Sequence, residues 1–536
     1  MKDLPLFDLN GDFGNAAVRA PRHPDARDLL AHMDYLGIER CLTTHVHGRE
    51  MNPLVGNRAL LQALAAEPSA AGRLVPVFTI NPATHCEQGA LPFLREQLAA
   101  GATRALAAFP AVCRHPLSHL EPVLAELEPF RPVVFWDTTE NPNGELDYRD
   151  LVDLAGRLPQ IAFICRKKMW MGFGSVLDAM RRRPNIHAEI SWLHMRSTIE
   201  LLVRTFGAGR VFFGTGLKTH YGAAIAALAH ADISDAERQA IAHGNIERLL
   251  GLPPAGFTVA GGRADKPVWD RVRAGRPAGT RILDAHGHIG ASNRGWYLTG
   301  TDIAETARET IRQMDGLGIG RIIVSPEEAL FGDALAGARQ AAAELAPFRD
   351  RFSGYVCFNP RFADALVPEF DALFGDGFHV GFKILASYWK INVEDPGYGP
   401  ALRYADAHRL PVLYHTWDDR YNSPRMLESV ARDNPGAQIL LGHSGGGTDG
   451  RIEAIALARR YPNVHLEFCG SFTTGYPWPE TFAQVGFDRV VFGSDGGGAH
   501  SQAWELGHLL SQPVPDNDLL PVLAANMERL LAKRLP

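Results

Sequence analysis

The chain has 536 residues, 46% of them hydrophobic and 21% charged, which is too long for one ordinary domain and typical of a soluble globular protein. A formal net charge of −6 gives no reason to expect nucleic acid or an anionic membrane as partner. No run approaches the roughly 18 apolar residues of a membrane helix, the opening Met1 to Leu6 lacks the layout of a secretory signal, and the scattered cysteines form no CxxC pair, so a reduced, cytoplasmic protein is expected.

In chain order, the first strand carries Phe7-Asp8-Leu9-Asn10-Gly11-Asp12, and it has a partner far downstream in Leu283-Asp284-Ala285-His286-Gly287-His288. Further phrases repeat in the same order. Val75 to Pro82 pairs with Ser353 to Pro360, Pro132 to Phe135 with Pro411 to Tyr414, and Pro184 to His187 with Pro462 to His465. Val211 to Gly214 pairs with Val490 to Gly493, and Asn245 to Leu250 with Asn526 to Leu531. The register drifts by only a few residues, which reads as tandem duplication of a whole domain, with a period too long for a small-repeat solenoid. Within each copy short apolar runs alternate with helical patterns, and that alternation predicts parallel strands joined by crossovers. About 250 residues per copy suits an eight-stranded barrel. The expected fold is therefore α/β, two tandem TIM-like (β/α)8 barrels over 1–255 and 281–536, with the Gly-, Pro- and Arg-rich stretch 256–280 as a linker.

In the second copy, residue types that bind metals follow predicted strands. His286 and His288 flank Gly287 after the first strand, and side chains at i and i+2 of an extended segment point the same way, so both can reach one ion. Lys383 follows Val380 to Phe382, His415 follows Pro411 to Tyr414, His443 follows Ile439 to Gly442, and Asp495 follows Val490 to Ser494. A parallel barrel delivers all these strand ends to one face.

This ordered set, with the phrases LPVLYHTW (410–417), ILLGHSGG (439–446) and RVVFGSDGG (489–497), resembles the amidohydrolase superfamily. Within it the likeness is greatest to the branch containing amino-carboxymuconate-semialdehyde decarboxylase and related hydrolases. The resemblance implies a divalent metal, zinc first with manganese as the alternative, held by His286, His288, His415 and Asp495. Lys383 is either a carbamylated bridge between two metals or an unmodified lysine beside one. Asp495 is expected to take a proton from a metal-activated water, with His443 shuttling a proton or stabilising an oxyanion. Loop residues Arg294, Trp296, Tyr297, Tyr388, Trp389, Trp417 and Arg420 are candidates for binding a planar or acidic small molecule. His500, just after a Gly-rich run, is within reach of the same pocket.

Opposite these positions the first copy carries Asn10 and Asp12 for the two histidines, Arg104 for Lys383, Trp136 for His415, Cys165 for His443 and Gly216 for Asp495. That set cannot build a comparable zinc site. The first copy is expected to be a degenerate barrel that stands in for the second subunit of a dimer, an intrachain pseudo-dimer, with a homodimer of the whole chain as a further expectation. Its own His45 and His47 lie outside the family's ligand positions, and Arg104, Arg166, Lys167 and Lys168 offer an anion-binding face. The expected activity is hydrolysis of a small-molecule amide, lactone or related bond. The alternatives are non-oxidative decarboxylation of an aromatic or unsaturated acid, and a pseudoenzyme that binds a ligand or partner protein.

Overall fold

The structure, a computed structural model, describes residues 4–17, 22–137, 148–167, 172–254, 264–291, 302–469, 476–498 and 500–532. The chain divides into two compact units, Met1–Gly262 and Arg263–Pro536. Both are α/β, with parallel strands alternating with helices in the TIM-like manner.

In the first unit, β1 (Phe7–Phe13), β2 (Arg40–His45) and β3 (Leu74–Pro76) form one parallel sheet. β4 (Phe78–Ile80), β5 (Ala105–Ala108), β6 (Val133–Asp137), β7 (Ala162–Arg166), β8 (Ile186–Glu189) and β9 (Val211–Phe212) form another in chain order. Only Val77 separates β3 from β4. Just past β9, the backbone N–H of Thr215 donates to Asp8 Oδ1 of β1 at 2.9 Å.

The second unit runs β10 (Leu283–Ile289), β11 (Arg321–Pro326), β12 (Phe352–Cys357), β13 (His379–Ile384), β14 (Pro411–His415), β15 (Gln438–Gly442), β16 (Val464–Phe468) and β17 (Val490–Phe492), each pairing in parallel with the next. The short β18 (Gly496–Gly497) follows β17 in the chain and pairs with β10 through Gly287–Gly496 and His288–Gly497. Strand eight, made of β17 and β18, therefore bridges strands seven and one.

These strands are short apolar runs because they are buried on both faces, by the interior on one side and by helices on the other. Inward-facing Leu283, Ala285, Ile323, Tyr355, Val380, Leu413, Leu440 and Val491 pack with Ala524, Met527 and Leu530, so the last helix, Asn526–Ala532, closes the end away from the histidines. The first unit repeats this: Phe7, Leu9, Val133, Phe135, Ile164 and Phe212 pack on Ile246 and Leu250 of the helix Asn245–Leu250. The part of the 256–280 stretch that is described is a packed element of the second unit. Trp269 and Val272 of the helix Pro267–Val272 are buried, and Lys266 makes a buried ion pair with Asp516 at 2.8 Å.

Three polar fasteners recur in both units. The Asn185 amide donates to the carbonyls of Ala155, Leu158 and Ile161, and the Asn463 amide to those of Ala431, Asn434 and Ala437. Arg210 donates to three carbonyls through one terminal nitrogen, and Arg489 does the same. A π-turn over Ala240–Gly244 precedes Asn245, and one over Pro521–Ala525 precedes Asn526, and each asparagine donates to two carbonyls around the last strand.

Truncating one of these fasteners leaves buried acceptors without a donor. Asn463→Ala is expected to lose about 2–4 kcal/mol of stability in urea unfolding, and a loss below 1 kcal/mol, roughly one ordinary hydrogen bond, would show that the three carbonyls find other donors.

Candidate metal centre

The pairing of β10 with β11 slips between Asp284 and Gly287. Below the slip, Leu283 and Ala285 face the core; above it, the even positions His286 and His288 turn into the mouth. A bulge of this kind re-aims side chains where a regular strand could not. Gly287 sits so close to β11 that a Cβ there would lie 2.3 Å from Ile322 Cδ1. The Asp284 carboxylate holds the bulge against strand eight. It accepts from the backbone N–H of Ser494 at 2.9 Å, from the Ser494 hydroxyl, from Gln502 Nε2 at 3.1 Å and from the His286 N–H at 3.2 Å. Burial raises its pKa to about 7 against those lowering bonds.

Fixed in this way, Asp495 adopts φ 55° and meets both histidines. His288 Nε2 lies 2.8 Å and His286 Nε2 3.3 Å from Asp495 Oδ1. His500 Nδ1 lies 3.1 Å from Oδ2. Burial alone would raise the Asp495 pKa, but His500, His286 and His288 outweigh it and hold the carboxylate ionised. Lys383, fully buried at the end of β13, places Nζ 2.6 Å from His286 Nε2, and burial lowers its pKa. Burial also lowers His286, His415 and His443 well below the usual imidazole range. His288 differs: burial opposes its charge, but Asp495 and Glu327 raise its pKa to about 9.

His286, His288 and Asp495 form one group whose donor atoms lie within 4.8 Å of one another, His443, Cys469 and Asp495 form a second, and His286, Glu467 and Cys469 a third. His415 is in none of the three. Its ring lies beside His443 with centroids 4.6 Å apart, stacks on Trp417 at 6.1 Å and meets Tyr388 edge-on at 5.2 Å. Trp417 and Tyr388 thus border the histidines, whereas exposed Arg420 bonds to the Tyr421 hydroxyl and lies over that ring. Trp389 is buried and donates from Nε1 to the Leu330 carbonyl. Arg294, Trp296 and Tyr297 lie outside the described residues.

Sequence reasoning missed Glu467, Cys469 and Glu327. Glu467 lies 3.3 Å through Oε1 from His286 Nδ1 and accepts the His443 backbone N–H through Oε2 at 2.9 Å. Cys469 Sγ lies 3.5 Å from His286 Nδ1 and 3.7 Å from His443 Nδ1. Glu327 Oε1 lies 3.4 Å from His288 Nδ1. All three lie at or just past the ends of strands two and seven, the same positional signal that picked out the others.

The first unit keeps the frame and changes the contents, and its hydrogen-bond register corrects three of the expected correspondences. Phe163 N–H donates to Asn185 O, and Ile439 N–H to Asn463 O, both at 2.8 Å, so Phe163 corresponds to Ile439 and Lys167 to His443. Both of the latter have positive φ, and both donate their N–H to a buried glutamate, Glu189 or Glu467, at 2.9 Å. Strand pairing then sets Asp137 opposite His415 and Ala107 opposite Lys383. Trp136, Cys165 and Arg104 do not occupy those places. Arg104 precedes β5 and bonds to the Leu249 carbonyl at the other end of the strand, so it is no part of an anion-binding face at the strand tips. At those tips Asp137 pairs with Arg166 at 3.3 Å and Lys167 at 3.0 Å, and Asp12 with Arg49 at 3.3 Å. Lys168 lies outside the described residues.

The family model described as Amidohydrolase matches residues 147–252 and 283–533, together more than half of the chain and with segments in both units. The chain belongs to the amidohydrolase family. It is an enzyme of that metal-dependent family. No curated protein sequence matches it. Among solved structures, this amidohydrolase is similar to an uncharacterised TIM-barrel protein from Bordetella bronchiseptica, with 18% identity over 47% of this chain and 99% of that one and a TM-score of 0.38. It is also similar to 2,6-dihydroxybenzoate decarboxylase from Rhizobium (17%, 47% and 99%, TM-score 0.38). A third is a probable 2-pyrone-4,6-dicarboxylic acid hydrolase from Acinetobacter baumannii (13%, 47% and 99%, TM-score 0.35).

The donor set fits a divalent ion. Nitrogen and oxygen ligands at about 2.0–2.2 Å around a tetrahedral ion lie about 3.3–3.5 Å apart, close to the 3.3 Å from His286 to Asp495 and a little beyond the 2.8 Å from His288. Because Asp284 positions both arms of the site, Asp284→Ala should weaken zinc binding by about 10- to 100-fold in competition with a chromophoric chelator; unchanged affinity in a folded variant would show that strand eight holds Asp495 without it.

Proposed function

We propose that the second unit is a hydrolase acting on an amide, lactone or related bond of a small molecule, with His286, His288 and Asp495 holding the divalent ion. Zinc is the first choice, since two imidazoles and one carboxylate in a compact group suit it, and manganese is the alternative. Bound there, the ion supplies Lewis acidity toward water and toward the carbonyl oxygen of a substrate. Lys383 stands beside His286, where it neighbours the ion either as the amine or as a carbamate. His415 stands further out, in a position to contact substrate beside Trp417 and Tyr388.

The observation that carries hydrolysis ahead of decarboxylation is the placement of the Asp495 carboxylate, whose Oδ1 lies 2.8 Å from His288 Nε2 and 3.3 Å from His286 Nε2, where a base beside the ion would take a proton from water. Asp495 accepts the water's proton and passes it to the leaving group. His443, neutral and buried, donates a hydrogen bond to the oxygen on which charge develops. His500 contacts the second oxygen of Asp495 and keeps the first turned toward the histidines.

The reading extends to the whole chain. Residues 1–255 and 281–536 are taken as two barrels in tandem, with 256–280 between them and a first barrel that has exchanged its metal site for ion pairs. The recurring asparagine, arginine and π-turn fasteners support duplication, and the Asp137–Arg166–Lys167 cluster supports the exchange.

The test is metal analysis with a substrate panel. Zinc-loaded protein is expected to release acid from a lactone or amide. Asp495→Asn should lower kcat by about 10²- to 10⁴-fold, and His286→Ala should lose the ion. Release of CO₂ from aromatic or unsaturated acids without hydrolysis of any lactone or amide would transfer the enzyme to the decarboxylases, and full activity in His286→Ala would remove the proposed centre altogether.

A further inference from the structure

We infer that Phe331 and Tyr388 form an aromatic shelf at the rim of the second unit's strand tips, and that it receives an aryl or similar apolar tail of the substrate, away from the bond that reacts. The inference rests on the reading above for the place of the reaction. It deepens that reading by naming the class of substrate, a small molecule with a polar reacting end and an apolar far end.

The first observation is exposure. Phe331 is 46% and Tyr388 41% exposed, and the two rings meet edge-on with centroids 6.1 Å apart. Exposed apolar side chains scattered singly need no explanation, whereas adjoining ones mark binding surface. Ala329, Leu330, Ala386 and Trp389 already bury the inner side of the two helices that carry them, so packing does not call for either ring. The second is continuity. Tyr388 meets His415 edge-on at 5.2 Å, and His415 in turn lies 4.6 Å from His443 and stacks on Trp417 at 6.1 Å. A ligand whose polar end lies among the histidines therefore finds a row of rings leading outward to Phe331.

The third is rigidity. Phe331 ends the helix Glu327–Phe331, which starts directly after β11, and Tyr388 lies in the helix Ala386–Trp389, one residue past β13. Trp389 Nε1 donates to the Leu330 carbonyl at 2.8 Å and joins the two helices. Arg361 donates to the Trp389 carbonyl at 2.9 Å. The Asn422 amide donates to the Ser387 hydroxyl at 2.6 Å and to the His415 carbonyl at 2.7 Å, tying the second helix to the tip of strand five. A surface fixed before binding loses little entropy when a ligand arrives.

The fourth comes from the first unit. Its helix Val46–Glu50 also has five residues directly after a strand and sets Glu50 in the place of Phe331. Its helix Pro110–Cys113 ends at Arg114 with φ 56°, as Ala386–Trp389 ends at Lys390 with φ 56°, which sets Val112 in the place of Tyr388. Glu50 pairs with Arg49 at 2.8 Å and Val112 packs on the core. The unit without the His286–His288–Asp495 group has no shelf.

The experiment is calorimetric titration of zinc-loaded full-length protein with butyrate and with 4-phenylbutyrate, two acids that differ only in the terminal ring and undergo no reaction. Wild type should bind 4-phenylbutyrate about 10-fold more tightly. In the double variant Phe331→Ser, Tyr388→Ser that ratio should fall to near one, and Tyr388→Phe should retain it. Circular dichroism confirms folding. Equal affinities in the wild type, or a ratio that survives the double variant, overturns the proposal. A wild-type dimer that the double variant dissociates in analytical ultracentrifugation also overturns it and assigns the two rings to an interface between copies. The titration needs no turnover: a protein that keeps the ratio but cleaves no lactone or amide refutes hydrolysis and leaves the shelf standing, and one that cleaves them without preferring the aryl acid does the reverse.

Discussion

The carboxylate of Asp284 bonds at once to the bulged backbone of strand one and to the turn that begins after strand eight. Neither segment could take its geometry alone. The bulge breaks the regular pairing of β10 and β11, and Asp495 lies at a positive φ, a conformation that costs a non-glycine residue about 1–3 kcal/mol. One fully buried carboxylate distributes its lone pairs over a backbone N–H from each segment, a hydroxyl and an amide. The ring of strands is closed by the same contact that aims the histidines and the aspartate at each other, so closure and site assembly are one event.

The first unit separates frame from chemistry. Asp8 and Thr215 reproduce the Asp284–Ser494 contact, and β1 carries the same slip, between Asp8 and Gly11. The frame therefore does not require the ligands. What has changed is the means of balancing charge at the strand tips. Where the second unit collects imidazoles around Asp495, Glu467 and Glu327, the first places Arg49, Arg166 and Lys167 against Asp12 and Asp137. Fixed cationic side chains can take over the electrostatic part of a metal ion's role, neutralising buried carboxylates, but they supply no open coordination position.

The alternation of apolar runs and helical patterns made the α/β character legible, and strand-end position made His286, His288, Lys383, His443 and Asp495 legible as neighbours. Two kinds of information were not. Pro132 to Phe135 looks like Pro411 to Tyr414, yet the inward residues of the first are Val133 and Phe135 and of the second Leu413. A one-residue slip exchanges the faces of a strand, so phrase similarity put Trp136 where Asp137 stands. The other is which side chains at the strand ends close up: His415 satisfied the pattern as well as His286 did, yet its ring meets His443, Trp417 and Tyr388 and it shares no compact donor group with Asp495. Glu467 and Cys469 went unread because each sits in or beside an apolar run, where only their contacts distinguish them from packing residues.

The lone pair on His286 Nε2 can serve one Lewis acid at a time. At 2.6 Å it meets the Lys383 amine, and an ion at the same nitrogen displaces that contact. Burial makes the neutral amine accessible to Lys383, and a neutral amine has its own lone pair to offer, to the ion or to CO₂. On the opposite edge of the ring, Glu467 Oε1 lies 3.3 Å and Cys469 Sγ 3.5 Å from Nδ1, and a proton on Nδ1 would leave Nε2 as the donor to an ion. The imidazole is thus polarised from a glutamate that both units keep toward a lysine and an aspartate that only the second unit has. In the proposed function, the direction of that polarisation, rather than the number of histidines, is what suits this strand end to a cation.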